Sequence, residues 1–262
     1  MKFAVNYSIP LAQFLENNLD QVDLIKCPDW DGLFIEAAKV KPVYIHFDIL
    51  VGKDQTKHLD LERVERFLAH TSTPHVNCHL VTTRETNPSS TKDVTVMLKQ
   101  WEKEISVLSS HFGNKHVVIE HFPFMPYHPY MKAAVDAKNI STIINETGCS
   151  FLLDLAHARI TAQVLGVDAQ DYIMALPIRQ LQEFHITGMR LYNGLWHDHF
   201  ELLDSDWSLL ERILAMVKKN EIPEPVIASF EYGGVGNTFA WRTEPGVIQN
   251  QVPRLCAMIK SC

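Results

Sequence analysis

The chain has 262 residues, 46% hydrophobic and 21% charged, which is enough for a sizeable globular core. Its net charge of −7 and pI near 6.0 speak against nucleic acid as the main partner, because such partners usually meet a basic face. Five cysteines without a CxxC pair read as reduced thiols. The sequence contains neither a signal-peptide core nor a run of roughly 18 apolar residues, and this predicts a cytoplasmic protein with no membrane partner.

Strand-like runs alternate with helical patterns along the whole length. "KFAVNYS" (2–8) and "VDLIKC" (22–27) come first, then "PVYIHFD" (42–48), followed by the helical "LDLERVERFLAH". "HVNCHLV" (75–81) precedes "TKDVTVMLKQWEKEISVLSSHF", whose apolar residues recur at steps of three and four. "KHVVIEHF" (115–122), "SFLLDLA" (150–156), "LQEFHIT" (181–187) and "PVIASFEY" (225–232) complete a set of eight. The helix "DWSLLERILAMVKKN" lies before the last of them, with Asp204 or Ser205 as its expected cap. Nearly continuous apolar strands separated by helices predict an α/β fold, one (β/α)8 TIM barrel spanning residues 1–262. An open doubly wound sheet is the rival arrangement.

The ligand-capable residues fall at one end of these strands. His46 and His79 lie near the ends of strands 3 and 4, and Glu120 near the end of strand 5. Asp154 closes strand 6, with His157 three residues on. His185 is near the end of strand 7, and Glu231 ends strand 8. The segment "NGLWHDHFELLDSD" (193–206) adds His197, Asp198 and His199, which we read as a loop. A lone histidine in an apolar strand is ordinarily a hydrogen-bonded core residue. A carboxylate ending a buried strand is harder to dismiss, since an isolated buried charge is very costly. Barrel active sites form at the carboxyl ends of strands, so six successive strands aim metal-binding groups at one opening. The donors outnumber the three or four that a single catalytic ion takes, and carboxylates can bridge, which implies two or three ions.

The order His, His, Glu, Asp-x-x-His, His, a D/H-x-H pair and Glu resembles the ligand series of the xylose isomerase-like TIM-barrel superfamily, including the trinuclear endonuclease IV enzymes. Residues 146–214 look more specifically like the multinuclear non-heme iron dependent oxidative enzymes related to the methanobactin-biosynthesis oxidase. They carry a leucine-rich strand ending in Asp, a helix leading to "LG" and "Y…LP", an E-x-H strand, an HDH segment and a following Trp. The resemblance implies that His46, His79 and Glu120 bind one ion. It gives a second ion to Glu120, Asp154, His185 and Glu231, and a third to His157, His199 and either His197 or Asp198. It implies iron as cofactor, with a peptide or small-molecule substrate and a partner protein that presents it. Zinc or manganese, serving a hydrolase or a sugar isomerase or epimerase, is the alternative within the superfamily. A metal-binding barrel without turnover is a third reading.

Other positions invite a role at the barrel mouth. Arg84, Arg190 and Arg242 follow strands 4, 7 and 8 and suit a carboxylate or phosphate clamp, although solvated arginine is the default. His121 and Trp196 are further candidates for substrate contact. Gly233 and Gly234 in "EYGGVGNT" fit either a phosphate cradle or a flexible turn. The loop "EHFPFMPYHPY" (120–130) either shapes a pocket or packs over the barrel. Cys78, adjacent to His79, should face the other side of its strand, and Cys27 could line the mouth.

Overall fold

The computed structural model describes residues 1–262. Its elements begin with β1 (Lys2–Asn6), α1 (Ile9–Leu15), β2 (Leu24–Pro28), α2 (Asp31–Ala38), β3 (Val43–His46) and β4 (Leu50–Val51). Then come α3 (Leu61–His70), β5 (Val76–Leu80), α4 (Thr91–Phe112), β6 (Val117–His121), α5 (Ala137–Thr147), β7 (Ser150–Asp154) and α6 (Leu155–Leu165). The last third holds α7 (Ala169–Ala175), β8 (Leu181–Ile186), β9 (Gly188–Tyr192), β10 (Leu195–Phe200), α8 (Asp204–Lys218), β11 (Ile227–Phe230), α9 (Gly236–Phe239) and α10 (Pro245–Lys260).

All eight expected strands are present, trimmed by a residue or two at their ends, except that β2 runs one residue further, to Pro28. The main sheet runs β3-β2-β1-β11-β8-β7-β6-β5-β4, and its defined registers are parallel. Neighbours in the sheet are successive main-sheet strands in the chain, except where β1 pairs with the last strand, β11. That order is the (β/α)8 TIM-barrel topology. No helix is long and apolar enough to cross a membrane.

The chain forms two compact units. The first comprises Met1–His46, Phe67–Thr73 and Glu183–Cys262; the second comprises Phe47–Arg66 and Pro74–Gln182. Ala4, Leu24, Tyr44 and Ile227 make a buried cluster in the first, one from each of four barrel strands. In the second, the sheet is backed by α4, whose Trp101, Ile105 and Leu108 are fully buried. Trp101 Nε1 donates to the Val81 carbonyl at 2.7 Å.

Three strands go beyond the expected eight: β4, and the pair β9 and β10. β4 is held from beneath by the buried Glu104, whose Oε1 accepts the backbone N–H groups of Gly52 and Asp54, both at 2.9 Å. Gly52 sits at φ +115°, and a Cβ there would lie 2.0 Å from the Val81 carbonyl oxygen, so only glycine fits. The second addition is the β9–β10 hairpin, an antiparallel pair where the sequence suggested a loop. Its turn is Asn193-Gly194, with φ of 51° and 76°, the positive pair that a two-residue hairpin requires. At α8 the cap also differs from expectation. The helix starts at Asp204, and Asp206 reaches back from the first turn to accept the Leu203 N–H at 2.7 Å.

Candidate metal centres

In the second unit, strand register builds the site. His79 and Glu120 are Cα partners on β5 and β6, so their side chains leave the sheet at the same level. His79 Nε2 lies 3.0 Å from Glu120 Oε2. The next strand ends in Asp154, which is also the N-cap of α6: its Oδ1 accepts the His157 N–H at 2.7 Å. This places His157 on the first turn of the helix with its Nδ1 at 2.9 Å from the His121 carbonyl and 3.1 Å from Glu120 Oε1. Donation from Nδ1 to that carbonyl makes Nε2 the nitrogen with the lone pair, the arrangement of a metal-binding imidazole. One donor atom each from Glu120, Asp154 and His157 falls within 4.8 Å of the others, and all three residues are buried.

In the first unit, Glu183 and His185 are two apart on β8 and share one face of the strand. Their side chains meet, His185 Nε2 lying 2.8 Å from Glu183 Oε1. Tyr44 on β3 donates its hydroxyl to the same carboxylate oxygen at 3.1 Å. His46, at the end of β3, brings its ring within 5.0 Å of the His185 ring centre. His46, Glu183 and His185 form a second group whose donor atoms converge within 4.8 Å. Glu231 lies just past β11, its Oε1 3.3 Å from His185 Nδ1. Between them stands a group absent from the expected set. The ammonium of buried Lys26 pairs with Glu231 and approaches His185 Nε2 at 3.0 Å.

The donor chemistry fits a metal in both units. Each group offers imidazole nitrogens and carboxylate oxygens without a thiolate, a mixture that suits iron, zinc or manganese. The thiols are withdrawn: Cys27 and Cys78 are fully buried, and burial pushes the Cys27 thiol up to about 12 and that of Cys78 well above its ordinary value. Cys27 is thus on the side of β2 opposite Lys26.

The triplet is a member of neither group. His197 faces Arg190 across the hairpin. The Asp198 carbonyl accepts from Arg242 at 2.8 Å, and its carboxylate is 3.8 Å from the same guanidinium. His199 occupies the left-handed region at φ +59°, beside a break in the β9–β10 register. Its N–H donates to Thr187 Oγ1 at 2.8 Å, and its Nδ1 lies 3.2 Å from the Gly233 carbonyl. All three side chains are half-buried.

The remaining candidates scatter. Arg190 ties the hairpin to its flank, donating to the Met189 and Glu201 carbonyls at 2.7 and 2.8 Å. Arg84 is exposed and Trp196 half-buried. His121 is fully buried against Phe151 and Tyr172, both ring nitrogens without a hydrogen-bond partner, and desolvation lowers its pKa to about 3. Gly233 donates its N–H to the His199 carbonyl and Gly234 donates to Thr243 Oγ1, both at 3.0 Å. A Cβ on Gly233 would meet that hydroxyl at 2.0 Å, so close packing against Thr243 accounts for this glycine.

Two residues escape the sequence reading. Glu183 is visible in the E-x-H spacing, which puts both side chains on one strand face. Lys26 is visible as a lone cation in an apolar strand, although its partners lie far along the chain.

Comparison with known proteins bears on fold and family differently. Among solved structures, the chain is similar to mannonate dehydratase from Streptococcus suis serotype2 (TM-score 0.60, 10% identity, 100% of this chain and 95% of that one covered). It is similar to endonuclease IV from Thermus thermophilus (TM-score 0.57, 11% identity, 100% of both chains covered). It is also similar to D-psicose 3-epimerase from Clostridium cellulolyticum H10 (TM-score 0.53, 8% identity, 98% and 96% covered). Identities this low establish the xylose isomerase-like TIM-barrel fold and nothing finer. No curated protein matches the chain. The family model for the RiPP precursor modification enzyme MbnB/TglH/ChrH, however, matches residues 36–223, well over half of the sequence. The matched span includes His46, His79, Glu120, Asp154, His157, Glu183 and His185, and stops short of Glu231. With its fold and donor chemistry in agreement, the chain belongs to the MbnB/TglH/ChrH family of RiPP precursor modification enzymes.

Proposed function

We propose that this protein is a multinuclear non-heme iron enzyme that oxidatively modifies a peptide. The observation that carries the reading is the pair of buried imidazole–carboxylate groups in a chain of a peptide-modifying family. His46, Glu183 and His185 would hold an ion in the first unit, and Glu120, Asp154 and His157, with His79 beside them, would hold one in the second. Iron, when bound, would supply one-electron chemistry with O₂ at open coordination positions.

The chain's own residues prepare these sites. The His121 carbonyl fixes the His157 ring, and Tyr44 orients Glu183, so the donors are aimed before an ion arrives. Burial keeps bulk water from the carboxylates. Substrate contact falls to the half-buried hairpin residues Trp196, His197 and Asp198. A partner protein that presents the peptide fits the same family. Zinc or manganese with hydrolytic or isomerising chemistry is the reading to be excluded.

The test is metal analysis of protein purified without oxygen, followed by O₂ uptake and peptide mass spectrometry. Short cysteine-bearing peptides encoded near the gene are the substrates to test. Iron in the purified protein, with O₂ consumed and the peptide mass altered, is the expected result. Zinc alone, with no O₂ uptake by an iron-reconstituted sample, would sink the oxidative reading.

A further inference from the structure

A buried lysine among metal-ligating side chains calls for a function of its own. Lys26 is 4% exposed and sits on β2 inside the first unit. Its ammonium forms an ion pair with Glu231 and lies 3.0 and 3.5 Å from the two nitrogens of His185. Glu231 and His185 are among the residues to which the family resemblance gives a second metal ion. An ammonium at contact distance satisfies the same electrostatic demand as that ion, and in a buried setting the two positive charges would repel strongly.

The charge balance agrees. Glu183 and Glu231 contribute two negative charges, Lys26 one positive, and the His46 and His185 imidazoles, as metal ligands, none. One dication leaves this assembly at +1, whereas two would leave it at +3 with little solvent to screen them. His46, Glu183 and His185 converge as one group, and His185 and Glu231 also stand together among the donors that could hold a metal; that second position is the one the ammonium occupies.

We propose that Lys26 is a built-in cation that replaces one metal ion between His185 and Glu231, so that the first unit binds a single ion. The inference rests on the metal-binding reading above and refines it: the nuclearity of the enzyme is set by a side chain. Glu231 is then the anchor of a lysine and not a metal ligand.

The experiment counts ions. Metal-free wild type, Lys26→Met, Lys26→Arg and Glu231→Gln are each equilibrated anaerobically with zinc(II) or iron(II), freed of excess, and measured by mass spectrometry of the metal beside circular dichroism. Lys26→Met is expected to bind one equivalent more than wild type, and Lys26→Arg the wild-type number. Glu231→Gln should also keep the wild-type number, and it carries the test if Lys26→Met does not fold. An unchanged or smaller count in folded Lys26→Met, or a loss of one equivalent in Glu231→Gln, overturns the assignment while the metal reading survives. If neither wild type nor any variant binds an ion, the metal reading falls and this inference falls with it.

Discussion

The two units carry nearly the same donor chemistry under different electrostatic conditions. The second surrounds Glu120 with imidazoles, His79 at 3.0 Å and His157 at 3.1 Å. The first arranges Glu183 and Glu231 around His185 and then inserts an ammonium among them. Two clusters of imidazoles and carboxylates therefore differ in what charge they still call for. The nature of the donors says which metals suit a site, and the charge around them says how many ions it takes.

The largest effect should come from the second unit. Glu120→Gln keeps the shape and removes the carboxylate that both imidazoles contact, so we expect loss of about one equivalent of metal and a fall in peptide modification of roughly 100-fold or more. Retained metal content in a folded variant would show that Glu120 is a structural partner of His79 and His157. Glu183→Gln in the first unit should be milder, weakening metal affinity about 10- to 100-fold, because the His46 and His185 rings remain. Competition with a chromophoric chelator reads both variants, and the comparison breaks if Glu183→Gln proves the more damaging.

Acid should act on the second unit through His121. Its pKa is lowered by burial to about 3, from the ordinary 6.5, so the folded state holds it neutral while the unfolded chain takes up a proton below 6.5. Stability is therefore full above pH 6.5 and falls between 6.5 and about 3, with a loss on the order of 2 kcal/mol from pH 7 to pH 5. Urea titrations of metal-free wild type and His121→Leu at both pH values check this. The leucine variant should lose less on acidification, and equal losses would assign the effect to other groups.

The smallest effect separates two duties of one side chain. Asp154→Asn can still cap α6, whereas Asp154→Ala cannot, so only alanine should lower the stability of the metal-free protein, by about 1 kcal/mol. Both should weaken metal binding. Thermal unfolding with and without metal distinguishes them, and an asparagine variant as unstable as alanine would mean that the carboxylate charge matters to the cap.

The legible part of this molecule is what period and spacing encode. Val117–His121 reads as a buried strand because its residues are apolar up to Glu120, and the three-and-four repeat of α4 marks that helix to the residue. The Asp154–His157 pair is legible as Asp-x-x-His at the end of a buried strand, and the structure adds that the carboxylate caps α6. The β9–β10 hairpin reads wrongly as a loop even though Asn193-Gly194 is a strong hairpin signal; the donor residues beside it draw the interpretation toward a metal-binding loop. Lys26 can be recognised as an oddity, but its pairing with Glu231 depends on β1 lying between β2 and β11, a contact of high sequence separation that no local pattern carries. The pairing of Asp198 with Arg242 is equally hidden, because 44 residues separate the two along the chain.

The cap formed by Asp154 has a kinetic consequence. Oδ1 of this carboxylate already holds the His157 amide at 2.7 Å, so half of the second centre is assembled whenever the first turn of α6 is formed. An ion gripped by Asp154 and His157 would clamp that turn from outside, and fraying of the helix start would then require the ion to leave first. Loading should therefore slow deuterium uptake at the amides that open α6 far more than at those that open α5, whose cap Asp136 is exposed and belongs to neither centre.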